Sequence, residues 1–186
     1  MPEYLSAGDA SFTAYQKSRI EHWDDVARLM DRWTGLGGAY HRRLTAIYRS
    51  LVSPGQKVLE IGCGRGDLLA ALQPAVGVGV DFSGEMIQRH PELRFLQIDA
   101  HDLGALQEPF DVIILSDLIN DLWDVQTVFE QLARLATPST RIILNCYSRL
   151  WELPLAAVER LGLARPTLYQ NWLTVEDTTN LLSLAN

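Results

Sequence analysis

The residues of this chain that could do chemistry are concentrated in one stretch, Val58–Asp67, which reads Val-Leu-Glu-Ile-Gly-Cys-Gly-Arg-Gly-Asp. A short apolar run is followed by three alternating glycines, Gly62, Gly64 and Gly66, and then by leucines at helical spacing. A strand, a glycine turn and a helix in this order let the backbone approach a nucleotide-like ligand closely, because no Cβ is in the way. The free N–H groups at the start of the helix favour a carboxylate or a phosphate.

Acidic and polar residues also stand at the ends of the first four predicted strands. They are Glu60 beside the glycines, Asp81, Asp99, and the pair Ser116 and Asp117. In parallel sheets, ligands bind at the carboxyl ends of the strands, so these side chains are expected around one pocket. Aspartate is also common in turns and at helix caps, but its recurrence after successive strands favours a ligand site.

The residues beside the glycines narrow the class of ligand. A phosphate-binding P-loop requires Gly-Lys-Ser/Thr after the turn, and Arg65-Gly66-Asp67 stands there instead. A nicotinamide dinucleotide site requires Gly-x-Gly-x-x-Gly/Ala, whereas the spacing here is Gly-x-Gly-x-Gly. Glu60 is a poor neighbour for a pyrophosphate and a good one for a cation. The turn therefore favours a ligand with a ribose and a positive centre, and disfavours an NAD-dependent oxidoreductase.

The elements that position these residues alternate between short apolar strands and helices. The predicted strands are Val58–Ile61, Val76–Val80, Arg94–Ile98, Asp111–Leu115 and Arg141–Cys146. Two helices, Glu21–Trp33 and Ala39–Leu51, precede them, and residues 1–20 are expected to form a flexible arm. A last helix, Val175–Leu184, begins with a sequence typical of a capping box. This alternation predicts an α/β domain with a parallel sheet and right-handed crossovers.

Composition excludes several classes of function. The formal net charge of −7 weighs against nucleic acid as a partner, because phosphate binding requires a basic face. No run approaches the about 20 apolar residues that span a bilayer, and the N-terminus does not resemble a signal peptide. A cytoplasmic protein is therefore expected. The histidines and cysteines show no metal-ligand spacing, so no metal site is predicted.

Four segments resemble the motifs of the class I S-adenosylmethionine-dependent methyltransferases. They are Glu60-Ile-Gly62-Cys-Gly64-Arg-Gly66, Asp81 at 19 residues (81 − 62) after the first glycine, Asp99-Ala100-His101, and Ser116-Asp117-Leu118. The resemblance covers about residues 40–182. It implies a Rossmann-like parallel sheet of order 3-2-1-4-5 with helices on both faces. The implied cofactor is S-adenosylmethionine, with S-adenosylhomocysteine as its product.

The resemblance also implies which residues contact each part of this cofactor. At the methionine end, the glycine turn passes under the methionine part of the cofactor, Glu60 lies near its ammonium group, and Ser116–Leu118 flank the sulfonium. At the other end, Asp81 accepts the ribose hydroxyls and Asp99 takes the adenine amino group. The further adenine contacts are Phe82, Met86, and the backbone of Ala100 and His101.

The residues that would act on the methyl acceptor are less well defined. An oxygen or nitrogen acceptor can require a general base, and the candidates near the strand ends are His41, Asp117, Asp121 and Tyr147. Nothing in the sequence ranks these four, and Asp117 and Asp121 are equally compatible with loop and cap positions. Tyr40, on the second helix, is either a residue that closes the cofactor pocket or a core aromatic.

Three further segments are similar to the methyltransferase half of bacterial proteins that join a methyltransferase to a family 2 glycosyltransferase. They are Phe110–Trp123, Tyr147–Pro154 and Asn171–Asp177. This similarity implies a larger parent protein, and a small-molecule, sugar or lipid-linked acceptor. The alternative is a non-catalytic, cofactor-binding module of a fusion protein.

The expected domain organisation follows from these assignments. Residues 1–56 form an N-terminal helical arm and pocket cap, and residues 57–186 form the Rossmann-like core. The family's usual strands six and seven have no counterpart after the last helix, which indicates a truncated core. The fifth strand is then an exposed edge, and exposed edges invite pairing. A homodimer or another chain is expected to cover it.

Overall fold

The computed structural model describes residues 3–29, 36–85, 90–146, 168 and 170–185. Its elements, in chain order, are α1 (Glu3–Leu29), α2 (Leu36–Leu51), β1 (Lys57–Ile61), α3 (Asp67–Ala71), β2 (Val76–Asp81), β3 (Arg94–Gln97), β4 (Val112–Ser116), a 3-10 turn (Ile119–Asp121), α4 (Val125–Leu135), β5 (Arg141–Asn145) and α5 (Val175–Leu184). Among these residues, no helix is long and apolar enough to cross a membrane.

The five strands form one parallel sheet in the order β3-β2-β1-β4-β5. This is the predicted order. Leu59 of β1 lies opposite Val78 of β2 on one side and Ile113 of β4 on the other. The chain moves outward from β1 to β3 and then returns to the other side of β1 with β4. The strand order therefore reverses between β1 and β4, and in such sheets the ligand crevice lies outside the carboxyl ends at this point.

The two faces of the sheet are covered by different helices. The odd positions of β1 and β4, such as Leu59 and Ile113, belong to a core that includes Phe129 and Leu132 of α4. Residues of α5 pack against the same core. The alternate positions form a second core, whose members include Val58, Ile114, Tyr48, Val52, Leu69 and Leu72. Because strand side chains alternate between faces, Glu60 projects toward this second, α2–α3 face.

The helices α4 and α5 are capped at their N-termini by side-chain hydrogen bonds. The Asp124 carboxylate accepts a hydrogen bond from the Thr127 N–H at 3.1 Å and so caps α4. At α5, the Thr174 hydroxyl accepts from the Asp177 N–H, and the Asp177 carboxylate accepts from the Thr174 N–H. This reciprocal pair is the predicted capping box.

The N-terminal helix departs from the sequence prediction. Residues 3–29 form one helix, α1, so the expected flexible arm over residues 1–20 is wrong. The reason is that α1 contacts the rest of the protein through aromatic and polar side chains. Tyr15, Gln16, Arg19 and Trp23 recur at three- to four-residue spacing, but they do not make an apolar stripe. The predicted helix Glu21–Trp33 coincides with α1 over residues 21–29, its last third, and residues 30–35 lie outside those described.

The sheet has one lateral edge at β5. Every residue of β5 after Arg141 is half-buried, whereas the first four residues of β4 are fully buried. An outer strand pairs on one side and presents its other row of N–H and C=O groups outward.

Candidate functional site

The glycine turn after β1 is fixed by hydrogen bonds to β2. The Gly62 and Cys63 N–H groups donate to the Val80 carbonyl at 2.8 and 3.0 Å, and the Gly64 N–H donates to Asp81 Oδ2 at 2.9 Å. Gly62 and Gly64 have φ values of 70° and 52°, which other residues adopt at a cost. A Cβ added at Gly62 would lie 2.8 Å from Leu118 Cδ1, so Leu118 covers the turn from the β4 side.

Asp81 ends β2 and holds two backbone segments together. Its Oδ2 accepts from Gly64 and its Oδ1 accepts from the Ser83 N–H at 2.9 Å. The residue is 8% exposed, and this burial raises the pKa of its carboxyl, although the two hydrogen bonds oppose the change. Each carboxylate oxygen has a second lone pair, so both can still accept a ligand hydroxyl.

Asp99 and His101 form a second small cluster, after β3. Asp99 Oδ1 accepts from the His101 backbone N–H at 2.8 Å and lies against His101 Nδ1. The Asp124 N–H donates to His101 Nε2 at 3.1 Å, so the ring proton is on Nδ1 and points at Asp99. Burial alone would raise the pKa of Asp99, but hydrogen bonds from His101 and Gln16 outweigh it and hold that pKa below its usual value.

Glu60 is the most deeply buried acid of the site. It is 3% exposed, and burial raises the pKa of its carboxyl to about 8. The Leu69 backbone at the start of α3 donates to this carboxyl and lowers its pKa in part. Glu60 Oε2 has no hydrogen-bond partner among the described residues. A buried carboxylate oxygen without a partner is costly, so this atom is suited to a cationic ligand group.

Asp117 lies just beyond β4 and is held from two sides. The Tyr40 hydroxyl of α2 is 2.8 Å from its Oδ1 and 3.0 Å from its Oδ2, and the Asn145 amide at the end of β5 donates to Oδ1. The φ of Asp117 is 55°, in the left-handed region that aspartate tolerates better than most residues. Burial raises the pKa of its carboxyl, and the Tyr40 and Asn145 hydrogen bonds oppose this.

The α1 helix, from Phe12 to Asp24, lies across the ends of β2, β3 and β4. Its Gln16 amide donates to Asp99 Oδ2, and Asp24 accepts a hydrogen bond from the Ser83 hydroxyl. The Phe12 ring meets the His101 ring edge to face at 5.4 Å. These α1 residues were not predicted. Their signal in the sequence is a helical repeat that appears when polar and aromatic residues are counted together.

Asp121 is bound by three α1 side chains. Its carboxylate pairs with Arg19 and accepts from Trp23 Nε1 at 3.1 Å, while its carbonyl accepts from the Tyr15 hydroxyl. The Arg19 and Asp121 side chains are 6% and 12% exposed. A carboxylate occupied in this way anchors a helix and is poorly placed to take a proton from a substrate.

The remaining predicted residues are placed as follows. Ser116 is the last residue of β4 and lies beside the Tyr48 hydroxyl, whereas His41 is exposed, with its ring 5.5 Å from that of Tyr40. Ala100 is buried beside Asp99, and Phe82 follows Asp81 with its carbonyl bound by Gln97. Met86 and Tyr147 lie outside the described residues. The described set therefore meets at one end of the sheet, except that His41 faces outward.

Comparison with known proteins identifies the family of this arrangement. Residues 36–183 match the model of a family described as a methyltransferase domain. The chain belongs to this methyltransferase family. It is 30% identical over 159 residues to a phosphatidylethanolamine N-methyltransferase of Cereibacter sphaeroides, which covers 76% of the chain and 77% of the relative. It is 24% identical over 146 residues to a demethylmenaquinone methyltransferase of Lysinibacillus sphaericus, covering 68% and 62%.

Solved structures show the same fold. An S-adenosylmethionine-dependent methyltransferase of Thermotoga maritima superposes with a TM-score of 0.70 at 18% identity, over 89% of this chain and 80% of that one. The predicted Rossmann-like architecture, the class of enzyme and the cofactor S-adenosylmethionine are thus confirmed. The roles of the individual residues of this methyltransferase stay predictions.

We predict that Arg19→Met destabilises the methyltransferase by about 3 kcal/mol, because it leaves the buried Asp121 carboxylate unpaired. Urea denaturation at pH 7 measures this loss. The matched control is Lys17→Met on the same helix. The Lys17 side chain is 77% exposed and lies 3.9 Å from Glu21, so its removal should change the free energy of unfolding by less than about 0.5 kcal/mol. Equal effects of the two substitutions would contradict the anchoring role of Arg19.

We predict that Glu60→Gln stabilises the cofactor-free protein at pH 8 more than at pH 5. The folded pKa of about 8 is above the ordinary value of 4.5. As the pH rises from 4.5 toward 8, the unfolded chain loses this proton and the folded chain keeps it, so the wild type loses stability. Glutamine carries no such proton. Urea denaturation at both pH values tests this difference.

The control for Glu60 is Glu108→Gln. A hydrogen bond from Lys57, together with the charges of Lys57 and Arg94, holds the pKa of Glu108 below its usual value. Its contribution to stability is therefore present above its unfolded pKa and lost as the pH falls. Glu108→Gln should destabilise the protein at pH 8, opposite in sign to Glu60→Gln. The same sign for both would show that the burial of Glu60 is not the cause.

Proposed function

We propose that this methyltransferase transfers a methyl group to an oxygen or nitrogen atom of a small-molecule, glycan or glycolipid acceptor that binds beside Asp117. The observation that carries the proposal is the position of this carboxylate. It follows β4 at the strand-order reversal, and its neighbour Leu118 lies against the Gly62 turn. A group held between Gly62 and Asp117 would contact the cofactor turn on one side and a carboxylate on the other.

The residues of the site fit S-adenosylmethionine. When bound, the cofactor supplies a methyl group on a sulfonium, which is a good leaving group. The unpartnered Oε2 of Glu60 would take the ammonium of the methionine part, and the Gly62–Gly66 turn would leave room for its chain. Asp81 would bind the ribose hydroxyls. Asp99, with Phe82, Met86, Ala100 and His101, would bind the adenine.

Among the three candidate bases that the structure describes, the geometry favours Asp117. Burial raises the pKa of its carboxyl, which brings a carboxylate closer to the pH at which a general base works best. Asp121 is paired with Arg19, and His41 is exposed. Asp117 would accept the proton that the acceptor O–H or N–H loses as the new bond to carbon forms. The protein's other contribution is to orient the acceptor and exclude water.

The named relatives support a lipid-linked acceptor. One is a phosphatidylethanolamine N-methyltransferase and the other a demethylmenaquinone methyltransferase, so each name refers to a membrane-soluble molecule. The similarity of Phe110–Trp123 and Asn171–Asp177 to glycosyltransferase-linked methyltransferases supports a sugar on such a lipid. An amphiphilic acceptor also suits the exposed Tyr40 and Ile47 of α2, which are 38% and 47% exposed.

The proposed domain organisation divides the protein near residue 56, between the N-terminal helices and the sheet that they contact. Residues 1–56 would act as the pocket cap, since α1 and α2 supply Gln16, Arg19 and Tyr40 to the strand ends. Residues 57–186 would form the cofactor-binding core of a cytoplasmic protein. The half-buried β5 supports a homodimer, or another chain, that pairs with this edge. Association with a glycosyltransferase would make the methyltransferase one part of a longer parent protein.

We predict that above pH 8, where the Glu60 carboxyl is ionised, Glu60→Gln weakens S-adenosylhomocysteine binding about 10- to 100-fold, because a hydrogen bond between charged groups is worth about 1.5–3 kcal/mol. Titration calorimetry measures the affinity. Adenosine is the matched control ligand, since it lacks the ammonium, and its affinity should not change. An equal loss for both ligands would exclude the ammonium contact. Absence of S-adenosylhomocysteine binding by the wild type would overturn the proposed function.

We predict that Asp117→Asn keeps S-adenosylhomocysteine binding and lowers methyl transfer by about 10²–10⁴-fold, the usual contribution of a general base. Radiolabelled methyl transfer is measured with phosphatidylethanolamine vesicles, a prenylated phenol and a bacterial glycolipid extract. Asparagine tolerates the left-handed backbone of this position, so the fold is kept. Tight binding of S-adenosylhomocysteine without transfer to any of the three acceptors would favour a non-catalytic cofactor-binding module.

A further inference from the structure

We propose that Asn145 and Tyr48 are positioning residues, which hold the Asp117 carboxylate toward the acceptor through a chain of hydrogen bonds that runs from the core to the site. The role given to Asp117 rests on the proposed function. The chain itself is a feature of the described residues and can be tested without an acceptor. Neither Asn145 nor Tyr48 stands out in the sequence.

The chain has three links and joins three elements. The Tyr48 hydroxyl of α2 donates to Asn145 Oδ1 at 2.7 Å. The Asn145 amide nitrogen, at the end of β5, donates to Asp117 Oδ1. The Tyr40 hydroxyl closes the far end on Asp117 at 2.8 Å. The two tyrosines are eight residues apart on α2. The same helix therefore contacts Asp117 directly from the solvent side, through Tyr40, and indirectly from the core side, through Tyr48 and Asn145.

The direction of each bond fixes the orientation of the amide. A tyrosine hydroxyl that donates to Asn145 requires the amide oxygen on that side, and this leaves the NH₂ group facing Asp117. The reverse orientation would place the amide oxygen against a carboxylate oxygen, with no proton between them. Tyr48 thus acts at a distance, because it selects the orientation in which Asn145 is a donor to Asp117.

Burial makes this selection strong. Tyr48 is 2% exposed and is part of the core between α2 and the sheet. A buried hydroxyl costs free energy unless it is hydrogen-bonded, and phenylalanine would fill the same space. The hydrogen bond to Asn145 therefore accounts for a hydroxyl at this buried position. Asp117 itself has left-handed backbone geometry directly after β4, with φ at 55°, and its carboxylate is held by Asn145 and Tyr40.

The other groups around Asp117 set the background for its titration. Among the described residues, the titratable neighbours are Tyr40, His41 and Tyr48 from α2, and Cys146 after β5. His41 favours the charged carboxylate, while burial disfavours it. Donation from Asn145 also favours the carboxylate, so loss of this donor raises the pKa of Asp117. Loss of the Tyr48 hydroxyl, which acts through Asn145, also raises the pKa of Asp117.

In the reaction, Asn145 would keep Oδ1 of Asp117 occupied, while Oδ2, which has the longer 3.0 Å contact with the Tyr40 hydroxyl, would offer its second lone pair to the acceptor. The acceptor O–H or N–H bond breaks as the new carbon bond forms, and its proton goes to Oδ2. Asn145 donates a hydrogen bond throughout and transfers no proton. Its effect is on the direction and basicity of Asp117.

The experiment is a carboxyl ¹³C NMR titration of the cofactor-free protein labelled at aspartate, with the Asp117 signal assigned by its loss in Asp117→Asn. We expect the Asp117 midpoint to move to higher pH in Tyr48→Phe, and further in Asn145→Leu. The matched control is Tyr15→Phe, which removes a hydroxyl that donates to the Asp121 backbone carbonyl. It should leave the Asp117 midpoint at the wild-type value.

Three results would overturn the proposal. An unchanged midpoint in Tyr48→Phe would show that Tyr48 does not act on Asp117. An equal movement in Tyr15→Phe would show a general loosening of the fold. A movement to lower pH would show that Asn145 does not donate to Asp117. Thermal unfolding confirms that each variant is folded, and Tyr48→Phe keeps the test valid where Asn145→Leu fails to fold. Calorimetry with S-adenosylhomocysteine is run separately, so failure of cofactor binding overturns the proposed function and not the positioning chain.

Discussion

Parallel pairing of β1 with β2 and β4 brings the carboxyl groups of Glu60, Asp81 and Asp117 to the same end of the sheet, where burial raises the pKa of each. Carboxylates cannot be removed from water without donors. The surrounding structure supplies these donors in different ways. Backbone N–H groups donate to Asp81, and the Tyr40 hydroxyl and the Asn145 amide donate to Asp117. Among the described residues, Glu60 is left with one unpartnered oxygen.

The two N-terminal helices provide some of the hydrogen-bond donors that these carboxylates require. α1 adds little apolar surface that a sequence pattern would detect, yet it contributes Gln16 to Asp99 and Arg19 to Asp121. α2 contributes Tyr40 and, through Asn145, Tyr48. Polar contacts of this kind are favourable mainly because their partners are already buried. The helices and the carboxylates therefore depend on one another for stability.

This dependence explains which parts of the protein the sequence predicts. The five strands, α4 and the α5 capping box follow local rules of apolar pattern and capping. Asp81 and Asp99 were found because they follow the two strands after the glycine turn, where ligand-binding acids are expected. The part of α1 before Glu21 was missed because its contacting face is polar and aromatic. Asn145 was missed because nothing local distinguishes an asparagine at a strand end; its importance comes from Asp117 and Tyr48, which are 28 and 97 residues away in the chain.

The hydrogen bond from the Asp124 N–H to His101 links two parts of the molecule that perform different tasks. Asp124 begins α4, and its side chain caps that helix, while His101 orients the Asp99 carboxylate. Fraying of the first turn of α4 would remove the donor to Nε2 and leave the imidazole held by Asp99. Because a carboxylate only accepts hydrogen bonds, the ring proton would stay on Nδ1. Helix–coil fluctuations at the start of α4 would thus loosen the ring without reversing the polarity of its hydrogen bond to Asp99.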